Sequence, residues 1–347
     1  MPISFAYKIC LANVSLCLWV VFESTILKAQ GVNFVRLQES NDLIAPDNGD
    51  RYFTQGLKLE MMATGFKSLF RKVGLRPFLV KIQDDSSHKD HYSLSFNQSF
   101  YTPANTLADT IIPNDRPFAG TLYVAFRNYS VSAAKRLTVI SQLSIGILGP
   151  MAAGKEMQNG VHSLLYGTDP KNAIKGWDFQ LHNDIYLNYF LHLENAIFSS
   201  QFLEANSIYE FNLGTMADDF GIGGRMRMGL FKNFFDPNLG FNTRQEKEMP
   251  MKKYLNKTSQ LFLFFNPVAK MVLYNALLQG GLYNNIVGTK EHRLSENEIS
   301  RFVVQGNYGL GVIVGRIKLE LIQFFTSREF DAGYSHSYGD VSLSYSW

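Results

Sequence analysis

Cysteine is almost missing from this chain. Both copies, Cys10 and Cys17, lie within the first thirty residues. A chain cut behind that segment keeps no thiol, so thiol catalysis, disulfide bracing and thiolate metal centres are excluded from it. No run after it reaches the roughly twenty apolar residues that a membrane-spanning helix requires. A strong charge of one sign is also lacking: the net charge is +3, which gives no footing for nucleic acid or for an acidic partner. The familiar hydrolase and nucleotide signatures are missing too. There is no Gly-x-Ser-x-Gly elbow, no His-Glu-x-x-His and no Gly-Lys-Ser/Thr phosphate loop.

What is present begins with a targeting segment. Lys8 precedes an apolar run from Ile9 to Phe22, too short to span a bilayer and of the length of a signal-peptide core. Residues 1–30 are therefore expected to be a signal peptide, cleaved beside Ala29, with 31–347 as one domain. An uncleaved N-terminal anchor is the alternative. The rest of the chain is rich in Phe and Tyr. Export, aromatic content and the lack of a helical span together point to an all-β outer-membrane barrel, with a secreted soluble β-protein as the competing class.

Period-two alternation supports the barrel. In the last eight residues Val341, Leu343, Tyr345 and Trp347 share one face, and Asp340, Ser342, Ser344 and Ser346 the other. Similar patterns predict strands near 32–40, 54–63, 91–100, 119–130, 136–147, 183–193, 196–213, 222–231, 260–273, 299–313, 316–327 and 340–347. Twelve is even, as a single-chain bacterial barrel requires. The expected fold is a twelve-stranded antiparallel transmembrane outer-membrane β-barrel with a short helix in an outer-rim loop. Short links at Ser130–Lys135, Glu194–Asn195 and Val314–Gly315 go to the periplasmic rim. Long links at 41–53, 101–118 and 148–182 go to the outer rim. Two long segments, 64–90 and 232–259, fall on the rim where turns should be short. The first carries Lys67, Arg71, Lys72 and Arg76 among Phe66, Leu69, Phe70 and Val73, which fits either a basic amphipathic helix at the inner interface or a solvated insertion.

The outer-rim links hold the polar groups suited to chemistry. The third joins a strand to the Gly-rich run Ile147–His162, and a histidine after such a turn can serve as a general base. Parity puts His162 on the same rim as Asn41, Asp42 and Thr54. Taken singly, each has a plain reading: Asn41-Asp42 as a turn, Thr54 as a strand residue, Asp115-Arg116 as a structural ion pair. Arg116 has a second reading as a contact for a lipid phosphate. Alternation makes His192 a lumen or rim residue. His88, His91, His182, His292 and His336 show no metal-site spacing. Trp177 is expected at the outer membrane interface.

Five motifs in order resemble one family. They are Asn41-Asp42 with Asp50-Arg51-Tyr52-Phe53-Thr54-Gln55-Gly56; Tyr101-Thr102-Pro103; Asn114 to Gly120; Gly149-Pro150 through Gln158-Asn159 to His162; and Thr326 to Phe330. The chain resembles the outer-membrane lipid A 3′-O-deacylases, the LpxR family. The resemblance implies a membrane-embedded, calcium-dependent esterase acting on lipid A of lipopolysaccharide in the outer leaflet, expected to be a monomer; an outer-membrane phospholipase, or a non-catalytic barrel that is a pore or a surface-binding protein, is the alternative. It assigns His162 as general base, Asp42 as the calcium carboxylate, and Asn41 and Thr54 to the active site. The family's glutamate six residues after the histidine has no counterpart in register; Asp169 lies one position further on and is one methylene shorter. No serine nucleophile is needed, which agrees with the missing elbow.

Overall fold

The computed structural model describes residues 33–44, 51–83, 87–106, 108–166, 174–236, 238–241, 259–283 and 291–347. The expected signal peptide lies outside them. Twelve strands follow one another around a closed wall: β1 (Phe34–Asn41), β2 (Tyr52–Met62), β3 (His88–Thr102), β4 (Ala119–Ser132), β5 (Leu137–Leu148), β6 (Asp184–Ser199), β7 (Leu203–Gly214), β8 (Ala217–Leu230), β9 (Gln260–Asn275), β10 (Phe302–Val314), β11 (Ile317–Thr326) and β12 (His336–Ser346). Each strand pairs antiparallel with its sequence neighbours, and β1 closes on β12 from Phe34 opposite Ser346 to Asn41 opposite Gly339. Closure leaves no open sheet edge, the condition for placing strands in hydrocarbon. One chain completes the wall by itself.

Alternation sorts the two faces. Ile145, Ile185, Leu187, Leu213, Ile222, Met228, Leu263 and Leu321 stand exposed on the outside, where lipid replaces water. The lumen is polar and crossed by paired charges. Glu60 is fully buried there, with Ser93 Oγ at 2.7 Å, Tyr129 Oη at 3.0 Å, Lys58 Nζ at 3.2 Å, Arg36 Nη1 at 3.4 Å and Arg127 Nη1 at 3.5 Å. A second network joins His192 to Glu194 and Glu210, and Lys270 to Glu210 and Asp219. Such buried charges are tolerable only because each meets opposite charge or hydrogen-bond donors. His192 is thus a lumen residue, as alternation predicts.

The expected turn at Glu194–Asn195 lies elsewhere. β6 runs on to Ser199 through a bulge between Ala196 and Phe198, and the chain turns at 200–202. Glu194 resembles a turn residue because it is charged, but it is a lumen residue that accepts from Asn206 at 2.8 Å.

The two long segments on the short-turn rim have opposite fates. Residues 232–236 and 238–241 fold inward: Phe241 stacks on Phe34 at 5.0 Å, beside Met62, and the backbone oxygen of Gly240 accepts from Gln260 at 2.9 Å. Residues 63–83 fold outward. They form helix α1 (Phe66–Lys72) and then a strap across the outside of β3, β4 and β5. One segment narrows the lumen, and the other coats the wall.

Candidate active site

The Gly149-Pro150 step starts the site. Gly149 has φ +101°, and a Cβ there would lie 2.5 Å from the carbonyl oxygen of His182, so only glycine allows this turn. Pro150 opens a 3-10 turn over Pro150–Ala152, and helix α2 (Gly154–Tyr166) follows. Ala152 is pinned to the outside of the wall by Gln98, whose Nε2 donates to its carbonyl oxygen at 2.8 Å. α2 therefore begins on the barrel exterior, not over the lumen.

Gly154 rests on an aromatic floor. A Cβ at this position would meet the Trp177 ring at 2.5 and 2.6 Å and Phe100 at 3.1 Å. Trp177 is 1% exposed, packs against Phe100, Phe118 and Ile174, and donates through its indole nitrogen to Gln158 Oε1 at 2.6 Å. The expectation that Trp177 marks the membrane interface is corrected by this burial. Its ring supports α2, and its one donor is spent on the helix.

The same stretch of outer wall collects the sequence-predicted polar residues. Asn41 pairs with Gln55 on β2, and Gln55 pairs with Phe100 on β3, which is the floor beneath α2. Glu39 accepts from Gln55 Nε2 at 3.0 Å on this outward face. A bulge between Phe53 and Gln55 leaves Thr54 outside the regular ladder, and its hydroxyl lies 2.8 Å from that of Thr102. Bulges redirect side chains at barrel rims in this way. Thr54 and Thr102 are both buried. Asp42 opens a 3-10 turn over Asp42–Ile44 directly after β1 and is 3% exposed. His162 lies on α2, one turn beyond Gln158. Its side chain and residue Asp169 lie outside the described part of the structure.

Arg116 is placed differently. It is 1% exposed, its Nη1 bonds Glu329 at 3.2 Å, and its guanidinium lies over the rings of Tyr101 at 4.9 Å and Tyr52 at 5.6 Å. Enclosed by an ion pair and two rings, it has no open approach for a headgroup phosphate. Burial favours a structural role for Arg116, but its ion-pair partner is Glu329 and not the expected Asp115, whose carboxylate accepts from the Arg116 backbone amide at 2.8 Å. Tyr52 beside it carries φ +72°, a strained value for an aromatic residue, and is held by Phe330, His336 and a hydrogen bond from the Tyr334 amide at 3.1 Å.

Gln98, Phe100 and Trp177 were not singled out from sequence as parts of a site, and Thr102 was marked only as a member of the Tyr101-Thr102-Pro103 motif. Gln158 stands within the motif that ends at His162, which was the only signal for it. A cavity of about 260 Å³ in the lumen mouth, lined by Tyr101, Tyr123, Tyr186, Lys270 and Glu329, is separated from the α2 site by the barrel wall.

Among the described residues no three His, Asp or Glu side chains gather as a metal cluster. The oxygen donors of Asn41 and Asp42 fit a hard cation in kind, since calcium takes carboxylate and amide oxygens. They would fill only part of its shell and leave positions for oxygens of a bound substrate.

Comparison with known proteins bears on the same chain. Residues 13–347 match the family described as outer membrane protein LpxR. Among solved structures, LpxR from Salmonella typhimurium superposes with a TM-score of 0.67 at 18% identity, covering 90% of this chain and 99% of that one. The β domain of the Bordetella autotransporter BrkA aligns with a TM-score of 0.43 at 9% identity, covering 91% and 99%, too distant to carry an argument. No curated protein matches the sequence.

Proposed function

The chain belongs to the LpxR family of outer-membrane proteins, and on that footing we propose that it is a lipid A 3′-O-deacylase working at the outer wall of its barrel. The observation that carries this reading is the row Asn41–Gln55–Phe100, which runs beneath the helix that bears His162. A lipid whose acyl chains stay in the leaflet can reach the exterior wall without entering the lumen, which is lined by paired buried charges.

In the proposed reaction the imidazole of His162 accepts a proton from water, and the resulting hydroxide attacks the carbonyl carbon of the 3′ ester. The C–O bond to the sugar then breaks, and the proton held on His162 passes to the departing 3′ oxygen. The products are the free acyloxyacyl acid and a 3′-hydroxyl. Asn41 and the Thr54 hydroxyl, oriented by Thr102, would hold the substrate's polar groups at the wall. Asp42, with Asn41, would hold a calcium ion, which when bound polarises the ester carbonyl. Gln158 and Trp177 position α2 and touch no reacting atom. The protein acts as a monomer in this reading.

Mass spectrometry of lipid A from cells expressing the protein tests it. Loss of the 3′ acyloxyacyl group, abolished by His162→Ala with the folded barrel retained, is the expected result. Unchanged lipid A alongside new lysophospholipid would make the enzyme a phospholipase instead. Lipid profiles indifferent to His162→Ala would remove the catalytic reading altogether.

A further inference from the structure

The strap formed by residues 63–83 is built on the outside of the barrel at the rim where β1 begins and β12 ends, the rim of the short turns that face the periplasm in such barrels. It has its own attachment to the wall. Asn128, Ser130 and Ser141 are fully buried although they face outward, where bare polar groups would be costly. Each is used by the strap. The Val80 amide donates to Ser141 Oγ at 2.9 Å, the Ile82 amide to Ser130 Oγ at 3.0 Å, and Asn128 Nδ2 to the Val80 carbonyl at 2.8 Å. Phe70 of α1 packs edge-on against Tyr92 and Phe126 of the wall, at 5.7 and 5.5 Å.

Above that floor lies a cavity of about 390 Å³ lined by Thr64, Lys67, Ser68, Arg71, Arg76 and Lys81. Lys81 pairs with Asp90 at 3.2 Å. Among the described residues Lys67, Arg71 and Arg76 are exposed and in no ion pair, and Asp90 is the carboxylate that meets the cluster. The two hydroxyls add donors that suit a phosphate oxygen. Beside the cations, Leu69 (41% exposed), Val73 (55%), Phe78 (51%) and Val80 (40%) turn apolar surface outward. Cationic side chains over a pocket, flanked by apolar side chains at the edge of a bilayer, match a lipid with an anionic headgroup and acyl chains.

We propose that this cavity binds the phosphate headgroup of an anionic phospholipid in the periplasmic leaflet, with Leu69, Val73 and Phe78 against its acyl chains. The site lies at the opposite rim from α2 and does not depend on the barrel being a deacylase. A free phosphate would use the same cations but gain nothing from the apolar flank.

Native mass spectrometry of the full chain tests the proposal, with the protein loaded with either phosphatidylglycerol or phosphatidylcholine. Phosphatidylglycerol should be retained about tenfold or more over phosphatidylcholine, and the combined variant Lys67→Gln, Arg71→Gln, Arg76→Gln should remove most of that preference. Heat-modifiable mobility on a gel reports whether the variant is folded, and Arg71→Gln alone, expected to weaken the preference partly, serves if the triple variant is not. Equal retention of the two lipids, or an unchanged preference in folded variants, would overturn the site. Displacement of the lipid by inorganic phosphate alone would overturn it in favour of a free-anion site. None of these readouts involves ester cleavage, so failure here and failure of the deacylase reading are told apart.

Discussion

The indole nitrogen of Trp177 donates to the side-chain oxygen of Gln158 at 2.6 Å, and both residues are almost fully buried. This bond ties helix α2 to the loop before β6 from beneath. Trp177→Phe keeps most of the packing and leaves Gln158 Oε1 without its donor, a loss of about 1–3 kcal/mol. The expected outcome is a folded barrel with ester cleavage reduced by up to about a hundredfold, because small displacements of a catalytic group are costly. A rate assay on purified protein, paired with heat-modifiable gel mobility, checks both halves.

Gly154 makes a related prediction by a different route. Its missing Cβ is the space taken by the Trp177 ring, 2.5 Å away. Gly154→Ala should push the start of α2 off the wall at a cost of about 1–3 kcal/mol. Activity should fall while the unfolding midpoint in detergent moves little, because the barrel ladders remain intact. An unfolding midpoint lowered as far as that of a lumen variant would instead show that α2 is part of the barrel's cooperative core.

Glu60 is the counter-charge for Arg36, Lys58 and Arg127 in the lumen. Glu60→Gln retains the shape but leaves the three cations facing one another without it. Breaking such a buried cluster costs about 3–5 kcal/mol. The variant should unfold at clearly lower denaturant, measured by tryptophan fluorescence, whereas Lys58→Met, which removes one cation, should be milder.

Calcium dependence separates the chemistry from the scaffold. If Asp42 and Asn41 hold the ion, excess chelator should abolish deacylation and added calcium restore it, with gel mobility unchanged throughout. Asp42→Asn should raise the calcium concentration needed for half activity. Cleavage that continues in chelator would remove calcium from the mechanism.

Lumen narrowing is measurable too. Charged networks and the inward segment that ends at Phe241 narrow the space inside the wall. Planar-bilayer recording should show no steady pore current. A stable open channel would favour a transport role.

Much of the wall was legible from alternation alone. A strand buried on neither face equally must repeat every two residues, so Asp340 to Trp347 shows its lumen and lipid sides without any tertiary information. The misplaced turn at Glu194 shows where that logic stops. A charged residue in a lumen and one in a turn look the same in sequence, and only the partner Asn206 across the ladder distinguishes them. Trp177 failed for the same reason: an amphipathic ring suits a membrane interface and a buried floor equally, and Gln158 decided between them.

The sequence by itself determined the strand count, the two faces, the rim carrying Asn41, Asp42, Thr54 and His162, and the family to which these motifs belong. Those are local properties, set by periodicity, by parity and by motif order. Only the tertiary structure decided that α2 lies against the outside of the wall, that Arg116 is enclosed by Glu329 and two tyrosines, and that one basic segment coats the barrel while another segment enters it. Those outcomes depend on contacts between residues far apart in the chain. No pattern along one strand specifies which side of a closed wall a loop will choose.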